Sequence, residues 1–244
     1  MRKLSYVVVQ SAKRVYEDIV PVALLSIVGA LVLVPFVFFI PIGISLFLLP
    51  FIFVPLCAGA LYASHRTKTG GRMKVRELFA GAAKFFLPSA VLALVYSLFI
   101  LIIVSTWWYY GGKSGTLHLA VAIFQTYFVA MVFVSQLYAL PLIVQERIGV
   151  FAAIGRSVKL FLRHPGYTIG AFVQLISLSA LLGITVVGFG CLFLGMYGIF
   201  SNLVTANVLA GPEQEEDGES GSPQKSEEGT RPGERFEAAS AIGR

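Results

Sequence analysis

Two stretches of this 244-residue sequence, Ile19 to Ala63 and Gly166 to Ala210, each run for 45 residues without a charged side chain or a histidine. A single helix of that length would be roughly 67 Å long, about twice the ~30 Å hydrocarbon core of a bilayer. Each run must therefore fold back on itself. In the first, "FFIPIGI" around Pro41 and Gly43 is the expected break, because proline stops a helix and glycine permits the turn. In the second, "GFG" at Gly188–Gly190 is the corresponding expectation. Two simpler apolar runs, Phe86 to Trp108 and Leu117 to Val144, lie between them and are joined by "YYGGKSGT". The sequence thus predicts an all-α integral membrane protein with six transmembrane helices, at about 19–40, 43–63, 86–108, 117–144, 166–187 and 190–210.

Composition agrees with this count. Hydrophobic residues make up 57% of the chain and charged ones only 13%, against about 45–50% and about 25% in soluble domains. Residues 1–210 carry 15 Lys and Arg but only four acids, Glu17, Asp18, Glu77 and Glu146. In a chain built of apolar runs, such a basic balance points to anionic lipid headgroups rather than nucleic acid. With the N-terminus inside, six spans place 18 of the 19 Lys and Arg on the cytoplasmic side and leave only Lys113 outside. Basic residues flanking spans are retained on the cytoplasmic side, so both termini are expected there, in a plasma (inner) membrane. The start of the chain lacks a signal-peptide pattern, since "LSYVVV" is short and is followed by Gln10, Lys13 and Arg14.

The charges also follow a period. In "GRSVKLFLRHP", Arg156, Lys159 and Arg163 fall within about 60° of one another at 100° per residue, with Phe151, Ile154, Val158, Phe161 and Leu162 turned away. That pattern predicts an amphipathic helix at the headgroup level, ended by Pro165. "KVRELFAGAAKFFLP" repeats it with Arg76 and Lys84, and "SAKRVYEDIVP" repeats it again. An interfacial helix is therefore expected before spans one, three and five. Arg76, Lys84, Arg156, Lys159 and Arg163 are the expected headgroup contacts.

The unit "AIGRSVKLFLRHPGYTIGAFVQLISL", with Ala153, Arg156, Ser157 and Leu160 in an Ala-x-x-Arg-Ser-x-x-Leu frame, resembles the inter-hairpin helix of bacterial membrane proteins of the YesL and YciC type. "VPLCAGALYASHRTKTGGRMKVRELFAG" is similar to their second helix and following loop. The resemblance covers most of residues 10–210 and implies a six-helix inner-membrane protein associated with transport. It supplies no catalytic residues, and the acidic tail lies outside the family pattern.

Intramembrane ionisable residues usually mark proton relays or catalytic centres, and the predicted spans hold none. His65, His118 and His164 fall at span ends on two different sides, so they cannot converge on a metal, and Cys57 and Cys191 read as packing residues. No catalytic residue, metal or cofactor is predicted. What remains is neutral polarity: Gln125 and Gln136, eleven residues apart and so on one helical face, with Gln174, Ser177 and Asn202. Two readings stand. These side chains bond helix to helix, at about 0.6 kcal/mol each, or they line a polar cavity for an uncharged solute or lipid headgroup.

Small residues spaced for close helix contact occur at Gly59 and Ala63 and at Cys191 and Gly195. After Ala210 the tail 211–244 holds nine acids, four bases and almost no apolar residues, and is expected to be disordered. Three functions compete: a non-enzymatic transport-associated or accessory component working with a membrane-protein partner or as a homo-oligomer, an autonomous carrier of an uncharged solute or lipid, and a membrane enzyme. The topology has a direct test. Reporter fusions at Gly112 and at the C-terminus are expected to fall on opposite sides of the membrane, and a shared side overturns the six-span count.

Overall fold

Inside a bilayer a peptide group finds no water, so the backbone must bond to itself, and helices do this within one segment. The computed structural model describes residues 3–67, 73–111 and 115–210, and all regular structure among them is helical. The expectation of a disordered acidic tail falls on 211–244, outside the described residues. Ten helices are described: α1 (Leu4–Glu17), α2 (Ile19–Phe39), α3 (Ile42–Thr67), α4 (Val75–Lys84), α5 (Phe86–Tyr110), α6 (Thr116–Ser135), α7 (Ala139–Glu146), α8 (Val150–Arg163), α9 (Pro165–Ile184) and α10 (Val186–Leu209). Six segments are long and apolar enough to cross a membrane, the fourth of them running from Thr116 to Glu146 through both α6 and α7. The chain is a multi-pass, all-α membrane protein. The short helices α1, α4 and α8 precede the first, third and fifth spans, where the charge pattern put them.

Two boundaries differ from the sequence expectation. The turn between the last two spans comes at Thr185, not at Gly188–Gly190, and both glycines lie inside α10. Thr185 adopts an extended backbone and its hydroxyl donates to Leu182 O at 3.2 Å. Gly188 serves that turn from downstream, because a Cβ there would collide with Thr185 Oγ1. The fourth span is also not one helix: it breaks at Gln136–Tyr138 and resumes as α7. Arg147 then closes α7 with a left-handed backbone, φ 55° and ψ 34°, and turns the chain towards α8.

The core forms around α3 and α10. About half of each span is buried, 56% and 50%, whereas the other four spans are 11–22% buried. Leu61, Phe200 and Val204 are enclosed where the two helices meet, with Leu25 of α2 and Leu142 of α7 packed around them. Close approach rests on missing side chains. A Cβ on Gly198 would lie 2.8 Å from Ala60 O, and one on Gly195 would lie 2.8 Å from Val22 Cγ1. Small residues at such crossings let backbones touch, which drives helix association where lipid removes the hydrophobic incentive. Of the predicted small-residue positions, Gly59 meets α4 through Leu78 and Gly195 meets α2. The outer spans expose Leu31, Phe38, Leu98, Leu101, Phe124, Phe128 and Leu181 to the lipid side.

Gly198→Leu is expected to lower the thermal unfolding midpoint in detergent, since overpacking against a backbone that cannot yield costs about 1–3 kcal/mol. Gly183→Leu, at an exposed position with open space where its Cβ would go, is expected to leave the midpoint unchanged.

Candidate functional site: a polar chamber at the basic end

A buried amide inside a span is tolerated only if its donors and acceptor are all answered. Asn202, on α10, is 1% exposed and meets that condition. Its Oδ1 accepts from Gln145 Nε2 at 2.5 Å, and its Nδ2 donates to Leu61 O at 2.9 Å and to Ser64 Oγ. Ser64 Oγ donates in turn to Leu61 O at 3.0 Å. One side chain thereby ties α10 to α3 and to the last turn of α7.

The open side of this knot is a chamber of about 430 Å³, lined by Arg14, Glu17, Asp18, Ser64, Thr67, Met73, Ile199 and Asn202. It lies at the end of the bundle that carries the basic short helices. The α1–α2 corner delivers one guanidinium and two carboxylates, α3 two hydroxyls, and α10 the amide. Two of the four acids in residues 1–210 are gathered here. The chamber can hold a small polar group by charge and hydrogen bonding. No group of His, Cys, Asp or Glu positioned for a metal occurs among the described residues.

Pro141, which has no N–H for Leu137 O, begins the break in the fourth span, and a second polar cluster satisfies it. Where a helix stops, its backbone groups need outside partners. Ser157 of α8 supplies them. Its hydroxyl accepts the Tyr138 backbone N–H at 3.2 Å and donates to Ser135 O at 2.5 Å. Tyr138 is fully buried, and its hydroxyl lies 3.0 Å from Thr168 Oγ1. Thr168 gives its own proton to His164 O at 2.9 Å, so Tyr138 is the donor. The α8 helix is thus tied to the α6–α7 break through Ser157, which lies with Ala153 and Phe161 on its buried ridge.

The five residues expected to form a polar cavity do not assemble into one. Asn202 lines the chamber, while Gln136 is buried in the α6–α7 break with Nε2 on Ser135 Oγ at 3.3 Å. Because α6 ends at Ser135, the helical face expected to join Gln125 to Gln136 stops short. Gln125 and Gln174 are half-buried and Ser177 is exposed, and no described hydrogen bond joins any two of the five. Arg76, Lys84, Arg156, Lys159 and Arg163 are all exposed. Arg156 also pairs with Glu146, and Lys84 Nζ lies 5.5 Å from the Tyr62 ring centroid.

Sequence reasoning missed Gln145, Ser64, Tyr138 and the α1–α2 corner. One signal was available for Ser157: Ala153, Ser157 and Phe161 recur every four residues on one side of α8. No protein-family model matches the chain, and no curated protein or solved structure matches it.

Ser157→Ala deprives the Tyr138 N–H of its partner. That is expected to destabilise the fold by about 1–3 kcal/mol, the cost of an unsatisfied buried group, and to lower the thermal midpoint. Ser177→Ala, on the exposed face of α9, is expected to leave it unchanged.

Proposed function

We propose that this protein is a non-enzymatic component of a bacterial inner membrane, transport-associated or accessory, which acts together with a partner. One observation carries this reading. Several polar groups of the spans make bonds that fasten helix to helix. Asn202 joins α10 to α3 and α7, Ser26 accepts the Gly195 N–H at 2.9 Å, Ser97 donates to Phe47 O at 3.2 Å, and Asn207 donates to Tyr167 Oη at 2.9 Å. A carrier that alternates between two states needs polar contacts that exchange; here they fix one arrangement. The resemblance of "AIGRSVKLFLRH" to the YesL and YciC type supports the same class.

In this reading both termini are cytoplasmic and the basic short helices rest on anionic headgroups. The faces of α8 suit that position. Ala153, Ser157 and Phe161 turn to the protein, Phe151 and Leu162 are exposed for the lipid, and Arg156, Lys159 and Arg163 are exposed for the headgroups. Each cation near an anionic surface contributes about 1 kcal/mol, so their effect is collective. The chamber at Asn202 favours the second reading, an autonomous carrier of an uncharged solute or lipid. Isolation from native membrane in mild detergent separates the two. We expect another membrane protein to co-purify in fixed ratio, and the protein reconstituted alone to show no saturable flux. Saturable solute or lipid movement by the isolated protein, abolished by Asn202→Ala, overturns the accessory role.

A further inference from the structure

The spans also enclose a cavity that the accessory reading does not use. It measures about 330 Å³ and lies among α3, α5, α6, α7 and α10, with Pro50, Cys57, Tyr96, Phe133, Leu140 and Tyr197 in its wall. Its existence follows from two irregularities. Pro50 and Pro55 interrupt the bonding of α3, and the break at Gln136–Tyr138 offsets α7 from α6. The volume is at the small end of the range for ligand sites, about 300–1,000 Å³.

Depth and chemistry narrow the occupant. Cys57, Tyr96 and Tyr197 are each the eleventh residue of their spans, Phe47–Thr67, Phe86–Tyr110 and Val187–Leu209. At ~1.5 Å per residue they share one level near the middle of the bilayer. A phospholipid headgroup does not reach that depth, because a charge there is expensive, and none of the residues lining the cavity is charged. Two lining residues, Tyr96 and Tyr197, carry a phenolic hydroxyl; Tyr197 already meets Ser201, and a bare acyl chain would offer neither proton an acceptor. A neutral lipid with a hydrogen-bond acceptor at mid-depth answers them.

The walls are also flat. Tyr96 and Phe133 have ring centroids 5.4 Å apart at 34°. On the α10 side Tyr197 lines the cavity, and Phe193 and Phe189 continue from it behind the lining as a ladder at four-residue spacing, with successive rings inclined by 24° and 19°. Phe53 adds a fourth ring, 6.0 Å from Phe193 at 22°. A planar ring stacks on such surfaces better than a branched or saturated group. A smaller void of about 110 Å³ between α3 and α5, lined by Gly43, Phe47, Ser97, Ile100, Leu101 and Val104, shares Ile100 with the cavity and leads away from the basic end.

From this we infer that the mid-span cavity binds a neutral, ring-headed lipid of the quinone class: its carbonyl oxygens accept from Tyr96 and Tyr197, and its tail lies in the void beyond Ile100. The inference concerns binding alone and is independent of whether the protein works with a partner.

The test uses the full chain in nanodiscs, titrated with a radiolabelled decyl-benzoquinone against empty nanodiscs. One saturable site per chain is expected. Tyr96→Phe and Tyr197→Phe keep ring shape and remove the hydroxyls; the double variant is expected to bind about tenfold more weakly, the loss of ~1.4 kcal/mol. Cys57→Phe, which fills the cavity, is expected to abolish binding. Decylbenzene, which has the ring and tail without carbonyls, is expected to compete at least tenfold less well, and this arm stands even if the tyrosine variants fail to fold. Binding that is unsaturable above empty discs overturns the site. Saturable binding that survives the double substitution, or that decylbenzene displaces equally, overturns the carbonyl recognition.

Discussion

A bilayer core offers a peptide group nothing to bond with, and each feature of this fold answers that constraint. Regular helix answers it locally. The exceptions show what else is required. At Gln136–Tyr138 the fourth span leaves helical geometry, and a serine from another helix supplies both the acceptor and the donor that the gap exposes. At Asn202 a polar side chain sits deep in the protein because three helices converge to meet it. At both places neighbours from other helices supply the partners that irregular backbone or buried polarity needs.

This explains what was legible in the sequence. Span number depends on run length and on charge placement, both local, so the six spans and three basic helices could be read directly. The turn at Pro41 was equally readable, because proline carries its own instruction. The turn at Thr185 was not, since the glycines that attract attention act from inside the following helix. The break at Gln136–Tyr138 has one local sign, Pro141, which has no N–H for Leu137 O, but other groups it exposes are met by Ser157, 19 residues beyond Tyr138. Extrapolating one face from Gln125 to Gln136 failed for that reason.

The candidate site shows the same division. Asn202 stood out as a polar residue in an apolar run. Gln145 and Ser64, its partners, lie at the ends of spans, where polarity is ordinary. The chamber's ionic wall comes from the α1–α2 corner, whose charges fit an orientation signal equally well. Composition cannot separate residues that tell a membrane which side they occupy from residues that line a space. Only their convergence does so.

The Ser157 staple also bears on how the chain is made. Synthesis runs from the N-terminus, so the fourth span emerges before the serine that completes its break. Pro141 denies Leu137 O its helical donor from the outset, so the span is interrupted before α8 arrives, with the Tyr138 N–H still awaiting Ser157. The bonds that satisfy the interruption are therefore completed only once α8 is in place. Beyond the break, α7 brings Gln145 to Asn202. One hydroxyl on a surface helix completes, from 19 residues away, a break that a proline begins.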